Sequence, residues 1–593
     1  MYPLTTLILL MLACATPPGA SDKSGDGDTD LAPGDTDADA DADTDADSDA
    51  DADSDTDTDT DTDTDADTDT DTGTLDTGSG TPAHLRLESG PLIHCPDSGA
   101  RDAAKFDTQS FADLDQFLIR AHGAGVVAGD FQSDGAPDVL FLGTNITEIV
   151  IQHPDGRWEE SPAGFLPEDA ELDMGFGGSA ADYDADGDLD VFVSRYMRPN
   201  ALLENDGTGH FTEVAAARGV LGGAEHFSAS SAWFDVEGDG DLDLFVAGHG
   251  YVIEGEGPIE DFEPGNPSYL YINDGAGQFV DEAEARLPAD FMETYTFVGT
   301  PIDLDDDGDL DLYGVNDLGN KYAPCMFLWN DGTGHFTLDG NAAGLDVDVA
   351  GMGLAFGDLN GDGITDFLVP AWARMKYMLS TGVDVWIDYA VDRGFVPEAG
   401  WYNQVVGWGA EFGDVDNDRD LDAAVMFGYL TTAFISNYEG QPDGLWLQDE
   451  TGHFTDVASA WMVNDETAGR GLVFSDLDND GWLDWAKPDV DGPSLLHLSR
   501  CGEASWARIQ LRDTVTPNTH AVGARLVAWV GDERMERRLV AGGTGYGSQG
   551  LIEAHFGLGD VEVIDRLEIR WPDGEIDTLG PLDGRRIHTI TRL

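Results

Sequence analysis

Nine-residue stretches of the form D-x-D-x-D-G-x-x-D recur seven times between residues 130 and 484, at intervals of 52 to 68 residues. In the second copy, Asp182-Tyr183-Asp184-Ala185-Asp186-Gly187-Asp188-Leu189-Asp190, the alternate residues Asp182, Asp184 and Asp186 can turn to one side of a tight loop. Gly187 supplies a backbone conformation that a side chain resists. Asp190 closes the shell, with a backbone carbonyl and water completing it. Six to eight hard oxygens carrying several negative charges are what Ca²⁺ accepts, whereas Mg²⁺ demands a stricter octahedron and keeps more of its water. The expected cofactor is therefore Ca²⁺, at about five to seven sites.

The candidate ligands follow copy by copy. The first copy offers Asp130, Asp134 and Asp138, and the second offers Asp182, Asp184, Asp186 and Asp190. The third offers Asp235, Glu237, Asp239 and Asp243, and the fourth Asp303, Asp305, Asp307 and Asp311. The fifth offers Asp358, Asn360, Asp362 and Asp366, the sixth Asp414, Asp416, Asp418 and Asp422, and the seventh Asp476, Asp478, Asp480 and Asp484. Gln132 interrupts the first copy, and Arg419 stands where the sixth should have Gly, so these two are expected to be the weakest or empty sites. The bland alternative, aspartates that only cap turns, must gather about four carboxylates with no cation to offset their repulsion.

The loop begins like an EF-hand, but that motif needs a bidentate Glu at position twelve between two helices. Position twelve is Val193, Val246 and Gly314 in the second, third and fourth copies. The last Asp instead runs into strand sequence, as in Val191-Phe192-Val193 and Phe367-Leu368-Val369, and Gly-rich strand sequence precedes each loop. Each loop thus reads as a β-hairpin turn closed around an ion. A second hairpin turn follows most copies: Asn205-Asp206-Gly207, Asn273-Asp274-Gly275, Asn330-Asp331-Gly332 and the weaker Gln448-Asp449-Glu450. Two hairpins per period make four strands, one blade, so the expected fold class is all-β: a seven-bladed β-propeller with calcium-loop hairpins, followed by a small all-β C-terminal domain.

Seven loops in register with the turn motif resemble the FG-GAP, or VCBS, repeats of the integrin α-subunit head, over residues 90–500. That resemblance implies calcium at the lower rim of a seven-bladed propeller. Past Cys501 the metal pattern stops. Gly523-Ala524-Arg525, Gly543-Thr544-Gly545-Tyr546-Gly547-Ser548-Gln549, His555-Phe556-Gly557-Leu558-Gly559 and Trp571-Pro572-Asp573-Gly574 resemble the landmarks of the ASPIC/UnbV module. The two together are the arrangement of the cartilage acidic protein family, which implies extracellular matrix or surface association and supplies no reaction.

The net charge of −88, from 117 acidic against 29 basic residues, repels phosphate backbones and anionic lipid heads, so nucleic-acid binding is set aside. With 41% apolar residues and 14 Trp the chain still buries real cores. Residues 1–20 read as a signal peptide, and Met11-Leu12-Ala13-Cys14 resembles a lipobox, which makes Cys14 the candidate lipidation site and the only expected membrane attachment. Residues 21–82, Asp alternating with Ala, Thr or Ser, have no apolar face and read as a disordered, self-extended stalk. The propeller is expected over residues 83–500 and the ASPIC/UnbV-like domain over 501–593.

Reaction chemistry finds little support. Gly547-Ser548-Gln549-Gly550 lacks the Gly two residues before Ser that a nucleophile elbow needs, because Tyr546 is there. No H-E-x-x-H or C-x-x-C occurs. The expected function is an exported, surface or matrix binding scaffold for a protein or glycan ligand outside the cytoplasm, and not an enzyme. The alternative is an extracellular enzyme acting on polysaccharide or peptide with structural calcium. Two irregular stretches, residues 250–267 and 372–408, are candidate contact loops, although the aromatics of the second, Trp386, Trp401, Tyr402 and Trp408, also suit blade cores. Cys95 and Cys501 flank the repeats, so ring closure brings them near one another and a disulfide is expected, with Cys325 free and buried. The other options are that Cys95 and Cys501 are both reduced, or that one pairs with Cys325.

Overall fold

A computed structural model describes residues 81–93, 123–143, 147–160, 162–167, 172–250, 265–319, 322–338, 344–372, 374–382, 385–395, 405–428, 441–490, 494–499 and 501–593. The signal segment with Cys14, all but the last two residues of the stalk, Cys95, Trp401, Tyr402 and most of 250–267 lie outside them.

Seven antiparallel sheets follow one another along the chain: five have four strands in sequence order, the third has four in sequence order with Ala541–Gly542 added beside its first, and the seventh has three among the described residues. They are the blades of a seven-bladed propeller, with innermost strands Gly123–Gly129, Gly175–Ala181, Ser228–Phe234, Thr296–Ile302, Ala355–Gly357, Gly407–Gly413 and Val473–Ser475. In every blade the second strand starts on the ninth residue of the acidic loop: Asp138, Asp190, Asp243, Asp311, Asp366, Asp422 and Asp484. That residue pairs with the last residue of the inner strand, as in Gly129↔Asp138, Phe234↔Asp243 and Ser475↔Asp484. The loops are thus hairpin turns, at one end of every blade.

Blades pack through apolar faces such as Phe192, Trp233 and Phe279, and they are also clamped by polar side chains. Asn273 Nδ2 donates to Tyr183 O of the preceding blade at 3.0 Å, Asn205 Nδ2 to Phe131 O at 2.9 Å and Asn330 Nδ2 to Val236 O at 2.9 Å. The Asn of Asn-Asp-Gly therefore does more than form a turn. The ring closes where Gly471 N donates to Ala124 O at 2.8 Å and Asn479 Nδ2 to Gly135 O at 2.9 Å, joining the seventh blade to the first.

The C-terminal domain is all-β, built from two four-stranded sheets and a short two-stranded one. Strand Ser505–Asp513 runs parallel to Arg586–Arg592, whose other edge carries Leu85–Ser89. The expected boundary at residue 83 is therefore corrected: Leu85–Ser89 precedes the first blade in sequence but is an edge strand of the C-terminal domain. Its register, Leu85↔Arg592 to Ser89↔His588, spans five paired positions that no local signal announces.

From this domain residues 541–551 run into the propeller axis. Gly543 N donates to Ser231 O, Leu354 and Gly545 exchange two backbone bonds, Gly178 N donates to Gly547 O, and Gln549 bonds Val126 and Ala128. Thr300 Oγ1 donates to Gly543 O, Leu551 N donates to Ser475 Oγ, and Tyr546 lies against Trp408 at 5.2 Å between ring centroids. These contacts reach the innermost strands of six blades and, in the fifth, the residue just before that strand. The approach is so close that a Cβ on Gly125 would overlap Gly547 O.

The stretch 372–408 is not an irregular insert: Lys376–Ser380 and Trp386–Asp388 are the outer strands of the fifth blade. Its turn, Ser380-Thr381-Gly382, lacks the Asn-Asp-Gly signal. Trp386 and Trp408 are buried, their indole N–H groups donating to Thr365 O and Gly428 O. Cys325 is a free, buried thiol whose pKa burial pushes up to about 12, and Cys501 is disulfide-bonded. Among the described residues no helix is long and apolar enough to cross a membrane.

Candidate metal centres

In six of the seven loops the first aspartate accepts amides of its own loop. Asp182 accepts Asp186 N on Oδ1 and Gly187 N on Oδ2, and Asp130, Asp414 and Asp476 hold the matching amides. The chain must turn left-handed at the sixth position, where φ is +101° at Gly187 and +102° at Gly308. Arg419 adopts φ +91°, so the sixth loop keeps its shape despite the missing Gly, and its guanidinium turns out to Glu533 at 3.0 Å. Three carboxylates of the sixth loop, expected to be a weak site, lie within the same 4.8 Å as those of the second loop.

The ninth aspartate is wedged between strands. Asp243 accepts Val236 N on Oδ2 and Asn273 N on Oδ1, and Asp138, Asp311, Asp366 and Asp422 bridge the equivalent amides. This residue therefore has a structural task besides any role as a ligand. Burial pushes the pKa of Asp138, Asp311 and Asp366 up to about 8 and that of Asp243 to about 9, with neighbouring carboxylates adding to the rise and backbone amides opposing it.

Four loops bring three carboxylates within 4.8 Å of one another: Asp182, Asp184 and Asp190; Asp303, Asp305 and Asp307; Asp414, Asp416 and Asp422; Asp476, Asp478 and Asp484. In the first three of these, buried carboxylate oxygens lack any hydrogen-bond partner, namely Asp184 Oδ1, Asp190 Oδ2, Asp303 Oδ1 and Asp416 Oδ1. A buried anion oxygen with nothing to receive it is costly. Hard oxygens converging with spare lone pairs fit a hard divalent cation. The loops with Gln132, Glu237 and Asn360 do not form such a group; Glu237 lies 3.6 Å from Arg286.

The C-terminal domain reaches every loop. Thr519 Oγ1 donates to Asp182 Oδ2 at 2.5 Å, Asn518 N to Gly240 O at 3.1 Å, and Arg538 Nη1 to Asp303 O at 2.7 Å. Arg534 Nη1 donates to Asp358 Oδ2 at 2.5 Å, Gly559 N to Asn417 O at 2.7 Å, and Arg508 Nη1 to Asp476 Oδ2 at 2.8 Å. At the first loop, burial raises the pKa of Asp130, and the charge of Arg512 is among the influences that oppose the rise. These contacts were missed in the sequence, although one signal was available: eleven of the 29 basic residues fall in residues 501–593.

Residues 514–592 match the family described as ASPIC and UnbV, and residues 130–193, 182–246 and 303–369 match the FG-GAP-like repeat. The matches thus put FG-GAP-like repeats in the second, fourth and neighbouring blades of the propeller and the ASPIC and UnbV family in the C-terminal domain. Among curated proteins it is similar to cartilage acidic protein 1. The Mus musculus protein is 24% identical over 496 residues, covering 77% of this chain and 62% of that one. The Homo sapiens protein is 23% identical over 492 residues, covering 77% and 61%. The matched region is thus less than two thirds of these relatives' length. Solved structures that align include the BP39L lectin from Burkholderia pseudomallei, 13% identical with a TM-score of 0.37, over 64% of this chain and 100% of that one. Another is YCF48 bound to D1 peptide, 9% identical with a TM-score of 0.37, over 71% and 99%.

Proposed function

We propose that the protein is an exported binding scaffold whose propeller is stabilised by calcium and which engages a protein or glycan ligand outside the cytoplasm. The observation that carries this reading is the set of converged loop carboxylates with unpartnered buried oxygens. Asp182, Asp184 and Asp190, Asp303, Asp305 and Asp307, and Asp414, Asp416 and Asp422 would hold the ions. A bound cation would supply positive charge to a set of oxygens that otherwise repel one another, and it would tie the first two strands of a blade at the end facing the C-terminal domain. That domain covers the loops and fills the axis, which leaves the outer rim and the opposite face for a ligand.

The disulfide at Cys501 supports export, since such bonds persist in oxidising compartments. Pairing with Cys95, and a lipid anchor at Cys14, belong to the same proposal. Non-reducing peptide mapping is expected to yield a fragment joining Cys95 to Cys501. The test of function is binding of purified protein to a glycan array and to surface or matrix extracts, in calcium and in EDTA. Calcium-dependent capture of a defined ligand supports the scaffold. Turnover of polysaccharide or peptide instead would establish the enzyme.

A further inference from the structure

We infer that Arg508 of the C-terminal domain is the resident cation of the seventh loop, so that this loop takes no calcium while the second, fourth and sixth do. The inference rests on the reading that the loops hold calcium, and it says which of them the chain has already filled.

Arg508 lies on strand Ser505–Asp513, and its side chain is 1% exposed. Nη1 donates to Asp476 Oδ2 at 2.8 Å and to Asn479 Oδ1 at 2.6 Å, both in the loop. Nε and Nη2 donate to the two oxygens of Glu553 at 2.7 and 2.8 Å, which fixes the guanidinium plane. Asp476 is itself fully buried. The carboxylates Asp476, Asp478 and Asp484 converge as in the other three loops, so geometry alone would rank this site equal to them.

Two observations set it apart. First, no buried carboxylate oxygen of this loop lacks a partner among the described residues, whereas the second, fourth and sixth loops each leave at least one. Asp484 accepts Leu477 N, Asp478 N and Ser499 N, and Asp476 accepts Asp480 N and Gly481 N besides Arg508. Second, the atom equivalent to Asp476 Oδ2 in the second loop, Asp182 Oδ2, receives the uncharged hydroxyl of Thr519. In the fourth loop Arg538 bonds the backbone carbonyl of Asp303 and leaves a carboxylate oxygen unpartnered. A guanidinium held on a ligand carboxylate, away from water, repels a dication that would claim the same group. In the fifth loop Arg534 bonds Asp358 Oδ2 but leaves Asp358 Oδ1 buried without a partner, so the seventh loop alone of these two is saturated.

Native mass spectrometry of the full chain in calcium counts the bound ions. Asp184→Asn is expected to lower the count by one and Asp478→Asn to leave it unchanged. Arg508→Gln combined with Glu553→Gln, which removes both buried charges, is expected to raise it by one. Hydrogen exchange on the unmodified protein gives an independent readout: chelation should speed exchange at residues 182–190, 303–311 and 414–422 and spare 476–484. A wild type that binds no calcium refutes the underlying reading. A wild type that binds calcium but loses one ion in Asp478→Asn, or loosens equally at 476–484, overturns the assignment of Arg508.

Discussion

Removing the Tyr546 ring should weaken the whole propeller and not only the domain that carries it. The ring is buried at the axis, with centroids 5.3 Å from Phe176, 5.3 Å from Phe297 and 5.2 Å from Trp408, which belong to the second, fourth and sixth blades. Truncating a core aromatic to Ala costs about 3–5 kcal/mol through lost transfer energy and the cavity left behind. An unfolding entropy of ~2.1 cal/mol/K per residue over the 427 described residues gives about 0.9 kcal/mol/K, so Tyr546→Ala should lower the melting temperature by ~3–6 °C. Tyr546→Phe is the control. The hydroxyl is buried without a partner, so deleting it should leave stability unchanged or raise it slightly. Calorimetry gives the shifts, and hydrogen exchange locates them: in Tyr546→Ala, protection should fall along the inner strands of several blades. A Phe variant as damaged as the Ala variant, or loosening confined to residues 541–551, would refute the view that this segment pins the ring.

Gly481 and Gly187 share a left-handed backbone, but a Cβ on Gly481 would overlap the Trp506 ring, while nothing lies within 4 Å of Gly187. Gly187→Ala should therefore cost about 1–2 kcal/mol of backbone strain and Gly481→Ala about 2–5 kcal/mol, strain plus overpacking, by denaturant unfolding. Asn273→Ala strips Tyr183 O, Leu242 O and Gly277 N of a buried partner, and should cost about 1–3 kcal/mol by the same measurement. In EDTA, Asp138, Asp243, Asp311 and Asp366 have folded pKa values raised to about 8 or 9 by burial. Their contribution to stability is full below the unfolded value near 4 and is lost as pH rises through 8 to 9, so chelated protein should melt lower at pH 8 than at pH 5.5. Equal melting at the two pH values would contradict the burial of these carboxyls.

The loops were legible because their carboxylates recur at fixed spacing. A carboxylate at every second position cannot be shifted by one without facing the wrong way, and the strand that starts on the ninth residue inherits that register. Asp190 to Arg195 and Asp243 to Gly248 are strands for this reason. The axial segment was not legible. Gly543-Thr544-Gly545-Tyr546-Gly547 has the composition of a mobile loop, and what orders it is contact with inner strands that begin between residues 123 and 473. The same holds for Leu85–Ser89, whose alternation suits a strand but whose partner is the last strand of the chain. The arginines that meet the loops carry no spacing rule either, since Arg508, Arg534 and Arg538 are placed by the fold of another domain. Arg419 shows the converse: a residue that breaks the motif can still adopt its backbone conformation when Asp414 holds the amides around it.

The most direct test of the account is a calcium titration of the full chain, followed by metal counting and by melting in parallel. Extracellular sites of this kind bind at about 10⁻⁴ to 10⁻³ M. At a tenfold excess over Kd each site should add ~1.4 kcal/mol, so three sites should add about 4 kcal/mol and raise the melting temperature by several degrees over EDTA. Three bound calcium ions with that rise is the result expected. No bound calcium, together with the same melting temperature in calcium and in EDTA, would contradict it.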